Sequence, residues 1–244
     1  MPIGFYGQIE LNSKNAKKVA SGVIGVDSLE KLFTHGLDLN KIYSKGNTLL
    51  HLAVLSKNVN LVEYLILKNV NLNTQNRNLD TPLSIALFPT ERNDTIATML
   101  IKSNANPNIV GKHGTTPLRS AIGIFNHGQS EYLFNLLIQH NADINFHCSE
   151  CCDKSIFLYT AAYGTTSMLD TLIKRKVDVT HQDCKGNNAI IYAIRSEKIE
   201  NIKYMFLLEP IVQLSENQKQ NIYMNSIKTK NEEVILLVKE YLKK

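Results

Sequence analysis

Cysteine and histidine side chains are concentrated in one short stretch of the chain, "HCSECC" at residues 147–152. Cys148 and Cys151 have the C-x-x-C spacing of half a zinc site, and Cys184 with a histidine would complete a tetrahedral set. The same residue types fit a catalytic cysteine beside His181, or ordinary surface thiols on a binding edge, which is the interpretation that we favour. The zinc candidates are Cys148, Cys151, Cys152, Cys184, His147 and His181.

The composition is that of a folded, mildly basic protein. The chain has 244 residues, of which 43% are hydrophobic and 20% charged, and a net charge of +5, so it is long enough to bury a core. No window approaches the ~18 uninterrupted apolar residues of a membrane span, and the start "MPIGFYGQIELNSK" lacks the features of a signal peptide. We therefore expect a cytoplasmic protein without a membrane span, whose four cysteines are reduced thiols.

A sequence repeat determines which elements position these side chains. The segment "GNTLLHLAVLSKNVNLVEYLILKNVNLN" at 46–73 recurs at 79–108 and 113–145, and more faintly at 153–180 and 185–209. Such a period indicates stacked units of supersecondary structure. One small residue near the middle of each first helix marks the register, with steps of 33, 33, 35, 39, 33 and 33 residues: Ala20, Ala53, Ala86, Ala121, Thr160, Ala193 and Ser226.

Each unit carries the residues of a pair of short helices. The dipeptides Thr81–Pro82 and Thr116–Pro117 combine a helix-capping hydroxyl with a proline at the first helical position, where no backbone N–H is needed. The second helix carries an apolar face, such as Val62, Leu65 and Ile66, which only a neighbouring unit can bury. One unit is therefore not stable alone.

These residues resemble ankyrin repeats, in the Thr-Pro-Leu-x-x-Ala start, the paired leucines of the second helix and exits such as "HNADIN". The resemblance covers residues 14–240 and predicts an all-α ankyrin-repeat solenoid with extended finger loops. We expect one domain over residues 1–244, with six repeats and a degenerate C-terminal pair of capping helices. The resemblance also implies that His51 forms hydrogen bonds between adjacent fingers. A helical repeat of the HEAT type fits neither the period nor the Thr-Pro start.

Several chemical functions fail on sequence context. The segment "GKHGTT" at 111–116 lacks the spacing of a phosphate loop, and its Gly114 gives backbone freedom to a finger turn. Glu232 and Glu233 are adjacent and would point to different sides of a helix. The lysines are interspersed with acidic residues and form no aromatic-basic stripe, so we expect no nucleic-acid binding. We expect neither a cofactor nor enzymatic activity.

Departures from the repeat indicate where function lies. The finger between Asn145 and Ser155 counts ten steps where the others count eight, so "HCSECC" lies on an enlarged finger tip, beside the tip that carries His181 and Cys184. Two loops between paired helices are also longer than the period requires, and they could form a contact rim. Its candidates are Phe88, Arg92, Phe125, His127 and Gln129.

The resemblance implies a protein-binding module whose fingers and inner helices form a concave groove. Compact ankyrin chains rich in Asn, Lys and Ile resemble effectors secreted by intracellular bacteria and host-modulating proteins of large DNA viruses. We therefore expect a monomer that binds a host protein in the host cytoplasm and contributes to virulence. The alternatives are an ordinary intracellular scaffold or adaptor, and a zinc- or thiol-dependent enzyme. The partner-binding candidates, expected at exposed turn positions, are Tyr43, Lys45, Arg77, Asp80, Lys112, His113, Arg119, His147, Glu150, Tyr163, His181, Asp183 and Arg195.

Overall fold

The computed structural model describes the chain as two compact units, which we call unit 1 (residues 1–112) and unit 2 (residues 113–244). In each repeat the first helix is the inner helix, the second is the outer helix, and the segment that leads to the next inner helix is the finger. The residues described are 12–23, 25, 30, 38–88, 90, 92–123, 127–208 and 214–243.

Unit 1 consists of inner and outer helices that pack on their counterparts in the next repeat. The inner helices form one row, in which α1 contacts α2 and α2 contacts α4, while the outer helices α3 and α5 pack on each other. The helices are α1 (Ser13–Ala20), α2 (Leu49–Leu55), α3 (Val59–Leu67), α4 (Pro82–Ala86) and α5 (Asp94–Lys102).

Unit 2 has the same kind of internal arrangement, with four helix pairs. Inner helices α6, α8, α10 and α12 form one row, and outer helices α7, α9, α11 and α13 form the other. The helices are α6 (Pro117–Ile122), α7 (His127–Gln139), α8 (Ile156–Tyr163), α9 (Thr166–Lys174), α10 (Ala189–Arg195), α11 (Ile199–Leu207), α12 (Glu216–Thr229) and α13 (Glu232–Leu242). Strands β1 (His147–Cys148) and β2 (Lys154–Ser155) form a small antiparallel hairpin between α7 and α8.

The register inferred from the small residues matches the packing. All seven of the aligned residues from Ala20 to Ser226 are at most 1% exposed. The hydroxyl of Thr160 donates to the carbonyl of Ile156, and the hydroxyl of Ser226 donates to the carbonyl of Tyr223. Neither buried hydroxyl therefore lacks a hydrogen-bond partner. A larger side chain would separate neighbouring inner helices, which explains the small residue at this position.

The helix starts form as their sequence predicts. The hydroxyls of Thr81 and Thr116 accept hydrogen bonds from the backbone N–H groups of Ser84 and Arg119, and a proline occupies the first turn of each helix. On outer helix α3, Val62 and Leu65 are fully buried, but Ile66 is only half-buried. The apolar face predicted for this helix is therefore correct at two of its three positions.

The single domain over residues 1–244 and the proposed loop rim both stay predictions. In the loop before α5, Arg92 donates to Asp94 at 2.6 Å. Phe125 lies outside the described residues, as do the side chains of His127 and Gln129. No helix in the described part of the chain is both long and apolar enough to span a membrane.

Candidate functional site

The fingers of unit 1 are joined by hydrogen bonds from one repeat to the next. The backbone N–H of Asn71 donates to the side-chain oxygen of Asn40, and Asn106 donates in the same way to Asn73, both at 2.8 Å. Because the same contact recurs one repeat later, neighbouring fingers are held in a fixed register. Side chains at corresponding finger positions therefore lie in a row.

His51 links its own helix to the next finger, as the resemblance implies. Its Nδ1 accepts the backbone N–H of Thr48 at 3.1 Å, and its Nε2 donates to the carbonyl of Asp80 at 3.0 Å. The side chain is fully buried. Burial lowers the pKa of His51, against the opposing effect of the hydrogen bond to Asp80. The imidazole is therefore a neutral structural link.

Three partner-binding candidates of unit 1, Lys45, Arg77 and Lys112, are exposed as expected. Lys45 has a left-handed backbone, with φ of 63°, and its carbonyl accepts the N–H of Arg77 at 3.0 Å. The expectation is wrong for Tyr43 and Asp80, which are 7% and 9% exposed. These two side chains cannot offer the exposed contact surface that the sequence suggested.

The two errors have physical causes. Tyr43 donates its backbone N–H to the carbonyl of Asn47 in a tight turn, and its ring is buried in unit 1. Burial raises the pKa of the Tyr43 phenol to about 12. Asp80 donates its backbone N–H to Asn76 and lies beneath the finger, where burial raises the pKa of its carboxyl. Asp80 therefore belongs to a finger turn, and the Tyr43 ring belongs to the core of unit 1.

In unit 2, the enlarged finger is a β-hairpin. His147 pairs with Ser155, and Cys148 pairs with Lys154. The reversal between the strands uses a 3-10 turn over Ser149–Cys151, followed by left-handed backbone at Cys152 and Asp153. The extra length of this finger therefore lies in the reversal between its two strands.

The four cysteines form two disulfides, Cys148–Cys151 and Cys152–Cys184. The expectation of four reduced thiols is therefore wrong for this structure. The tips of neighbouring fingers also lie closer than ordinary element spacing suggests, because the N–H of Cys184 donates to the carbonyl of Cys152 at 3.0 Å. This contact brings the two Cα atoms to 5.0 Å, within the range that a disulfide spans.

The two disulfides argue against both the zinc site and the catalytic cysteine. Bonded sulfurs are not the thiolates that a zinc site or a nucleophile requires. Among the described residues, no group of three or more His, Cys, Asp or Glu side chains is placed to hold a metal ion. His147 and His181 are instead joined through Asp153: His147 contacts its carboxylate, and His181 donates to its carbonyl at 2.6 Å. Both histidines therefore stabilise the hairpin through Asp153.

Cys148 and Cys151 lie against the preceding finger of unit 2. Gly114 there has φ of 63°, and a Cβ atom at this position would come within 2.2 Å of the sulfur of Cys148. The Nη1 of Arg119 lies 3.4 Å from the carbonyl of Gly114 and 3.5 Å from the sulfur of Cys151. The glycine thus gives backbone freedom, as predicted, and also makes room for a disulfide.

An aromatic and cationic strip follows the inner helices of unit 2. The guanidinium carbon of Arg119 stands 4.7 Å from the ring centre of Tyr159, in cation–π contact. The ring centres of Tyr159 and Tyr163 are also 4.7 Å apart. In the next repeat, the Nζ of Lys154 lies 5.8 Å from the ring centre of Tyr192. We call Arg119, Tyr159, Tyr163, Lys154 and Tyr192 the aromatic strip.

A polar network around Asp183 lies beside the aromatic strip and holds Tyr192 in place. The carboxylate of Asp183 accepts hydrogen bonds from Lys185, Asn187 and Tyr192. Burial raises the pKa of Asp183, but the hydrogen bonds outweigh it and leave that pKa below its usual value. Asp183 is 7% exposed, so its expected place on the surface is wrong. Its carboxylate is used internally to close the finger turn.

The comparisons with known proteins identify the repeat. A family model described as ankyrin repeats, in three copies, matches residues 19–111 and 121–220. The chain belongs to the ankyrin-repeat family. The all-α ankyrin-repeat fold class predicted from the sequence is therefore confirmed. No curated protein matches the sequence.

One solved structure illustrates the similarity. The chain is 26% identical to a chain of the complex between the predatory endopeptidase Bd0816 from Bdellovibrio bacteriovorus and the immunity protein Bd3460. The match has a TM-score of 0.64 and covers 80% of this chain and 97% of the other. Ankyrin repeats are protein-interaction modules, and the family is typically not enzymatic. At this general level, the protein-interaction function predicted from the sequence is confirmed.

The remaining partner-binding candidates of unit 2 lie on or near the surface. His113, His147, Glu150, Tyr163 and Arg195 are exposed, and Arg119 and His181 are half-buried. Arg195 is also ordered, because it donates to Asn187 at 3.1 Å and to Asn225 at 2.8 Å.

Three members of the aromatic strip were not among the candidates: Tyr159, Lys154 and Tyr192. A signal for two of them was present, since Tyr159 and Tyr192 each stand directly before the small residue that marks the repeat. Tyr159 is also four positions before Tyr163, a spacing that brings side chains together on a helix. Lys154 carried no signal, because its position depends on the hairpin.

Proposed function

We propose that this ankyrin-repeat chain binds a protein partner through its fingers and inner helices, with the aromatic strip of unit 2 as the principal contact. The observation that carries this proposal is the continuous contact from Arg119 to Tyr159 and from Tyr159 to Tyr163. Tyrosine and arginine dominate the binding energy of protein interfaces. Because these side chains already contact one another, little conformational entropy is lost when a partner covers them.

The exposure of Tyr163 and of neighbouring candidates supports the same proposal. Tyr163 is 43% exposed although its ring contacts Tyr159, so one face of the ring is open to a partner. Arg195 is exposed and held in place by two hydrogen bonds. Such ordered, amphipathic side chains are what a non-obligate interface uses. In unit 1, exposed Lys45, Arg77 and Lys112 are the corresponding contact candidates.

We further propose that the partner is a host protein and that the chain acts as a monomer in the host cytoplasm, as an effector that contributes to virulence. Its resemblance to compact ankyrin effectors supports the host assignment. The similar chain from the Bdellovibrio complex supports a protein as the partner class. Binding rather than catalysis is the proposed activity, and the proposal requires no cofactor and no nucleic acid.

A comparison of two tyrosines tests this proposal. Tyr163 on inner helix α8 and Tyr132 on outer helix α7 are both 43% exposed. We would use wild-type protein, Tyr163→Ala and Tyr132→Ala as immobilised baits in a host-cell lysate and quantify the captured proteins by mass spectrometry. The dissociation constant of the main captured protein would then be measured with purified components.

We expect Tyr163→Ala to weaken binding of the captured protein at least about tenfold, equivalent to about 1.4 kcal/mol, while Tyr132→Ala binds like wild type. Equal loss in both variants, or a loss confined to Tyr132→Ala, would show that the inner-helix face is not the interface. Thermal unfolding of both variants verifies that the fold is retained.

A further inference from the structure

The two disulfides of unit 2 differ in the groups around their sulfur atoms. The sulfur of Cys151 lies 3.0 Å from the carbonyl oxygen of His113 and 3.5 Å from the Nη1 of Arg119. The sulfur of Cys148 lies 3.7 Å from the same carbonyl. Among the described residues, no hydrogen bond joins a cationic side chain to the sulfur of Cys152 or Cys184. The pair Cys148–Cys151 therefore has a distinct environment.

That environment matches a reduced cysteine better than an oxidised one. A carbonyl oxygen can only accept a hydrogen, and a disulfide sulfur carries none. After reduction, the S–H of Cys151 can donate to the carbonyl of His113, while a thiolate can accept from the guanidinium of Arg119. Arg119 is held in position by Tyr159 and by the carbonyl of Gly114. Reduced Cys151 therefore has a hydrogen-bond partner both as a thiol and as a thiolate.

Accessibility distinguishes the two sulfurs of this pair. Cys148 is 3% exposed and Cys151 is half-buried, so within this pair an incoming thiolate reaches Cys151 first. Cys184 of the second disulfide is exposed, so the preference for Cys148–Cys151 comes from Arg119 beside the sulfur and not from accessibility. The second disulfide has a different role, because Cys152–Cys184 joins residues 32 positions apart and connects the hairpin to the next finger. It is a cross-link between repeats, while Cys148–Cys151 closes a single turn.

We propose that Cys148–Cys151 is a thiol–disulfide exchange site for a small dithiol and that Cys152–Cys184 is a structural cross-link. The exchange site shares Arg119 with the aromatic strip and its cellular setting rests on the proposed cytoplasmic location, but the exchange itself requires no partner protein, so the two proposals fail separately. Cytosolic disulfides, where they occur, are usually transient and redox-active, and such a site suits a chain that meets a reducing thiol pool.

The exchange consists of two steps. One thiolate of the dithiol attacks the sulfur of Cys151, which forms a mixed disulfide and releases the sulfur of Cys148 as a thiolate that takes a proton from water. The second thiolate of the dithiol then attacks its own sulfur in the mixed disulfide. This step closes the cyclic disulfide of the reagent and releases the Cys151 thiolate beside Arg119. Two electrons pass from the dithiol to the protein pair.

The experiment uses oxidised full-length protein and dithiothreitol. Samples are quenched with acid at intervals, free thiols are alkylated, and the modified cysteines are identified by peptide mass spectrometry. We expect Cys148 and Cys151 to become alkylated at least about tenfold faster than Cys152 and Cys184. Equal rates, or earlier reduction of Cys152–Cys184, would overturn the proposal. Four thiols with stoichiometric zinc in air-exposed protein would overturn it as well.

The part played by Arg119 is tested on the reduced protein. We expect the alkylation rate of Cys151 at neutral pH to fall several-fold in Arg119→Gln and to be largely retained in Arg119→Lys, because a cation beside the sulfur favours the reactive thiolate. Arg175→Gln is the matched control, since Arg175 is an exposed arginine at the end of outer helix α9. An unchanged rate in Arg119→Gln would remove Arg119 from the proposed site.

Discussion

His51 is a residue whose contacts depend on its protonation state. Its Nδ1 must be free of a proton to accept from Thr48, and burial lowers its pKa. In the unfolded chain the histidine has a pKa of 6.5 and takes up a proton as the pH falls below that value. The stability that neutral His51 contributes is present above pH 6.5 and is lost as the pH falls towards its lower folded-state pKa.

We therefore expect His51 to reduce the free energy of unfolding by up to about 1.4 kcal/mol per pH unit below pH 6.5. Urea denaturation at pH 7, 6 and 5 measures this slope. The variant His51→Gln should be less stable at pH 7 but should lose less stability on acidification. If both proteins follow parallel curves, His51 does not titrate as proposed.

Gly114 combines a special backbone conformation with a close contact. Its φ is 63°, and a Cβ atom there would lie 2.2 Å from the sulfur of Cys148. We expect Gly114→Ala to destabilise the protein by about 3 kcal/mol, from backbone strain and from overpacking. Gly123→Ala is the control, because no atom of the described residues lies within 4 Å of a Cβ at that position. Chemical denaturation that places both variants at the same stability would refute this account.

At the scale of the element, the helix pairs were predictable and the hairpin was not. Thr81, Thr116 and their following prolines cap and start helices by local rules, so a short sequence window suffices. The enlarged finger was located by counting residues. Its strands and its disulfide pairing depend on left-handed backbone at Cys152 and on contacts with other fingers, and sequence spacing alone does not determine them.

The C-terminal helix α13 closes the last repeat of unit 2. Val234 and Val238 are fully buried, and the ring of Tyr241 stacks on Phe206 of α11 with centres 3.7 Å apart. Terminal repeats must cover the apolar face of the stack. Helices α12 and α13 also pack on each other, and their role as a C-terminal capping pair stays a prediction.

Two substitutions on α13 test the capping role. Val238→Asp places a charge in the core and should destabilise the protein by more than about 3 kcal/mol, with aggregation detected by light scattering. Leu236→Asp on the same helix should change the free energy of unfolding by less than about 0.5 kcal/mol, because Leu236 is 58% exposed. Soluble, fully stable Val238→Asp protein would show that α13 is not needed as a cap.

At the scale of the whole molecule, sequence reasoning gave the family and the class of function more securely than the contact residues. The repeat period recurs along the whole sequence, so an atypical residue in one repeat does not hide it. Whether one polar residue faces solvent depends on turn contacts, which is why Tyr43, Asp80 and Asp183 were expected on the surface and are buried. Tyr159 and Tyr192 lie on inner helices, whereas the sequence pattern predicted contact residues at exposed turn positions.

The central claim is that a protein partner covers the aromatic strip, and hydroxyl-radical footprinting of the complex with the captured protein tests it most directly. Tyrosine oxidation is measured with and without the partner, using Tyr163 and Tyr132, which are equally exposed at 43%. We predict that the partner protects Tyr163 from oxidation and leaves Tyr132 unchanged. Protection of Tyr132 with continued oxidation of Tyr163 would contradict the account.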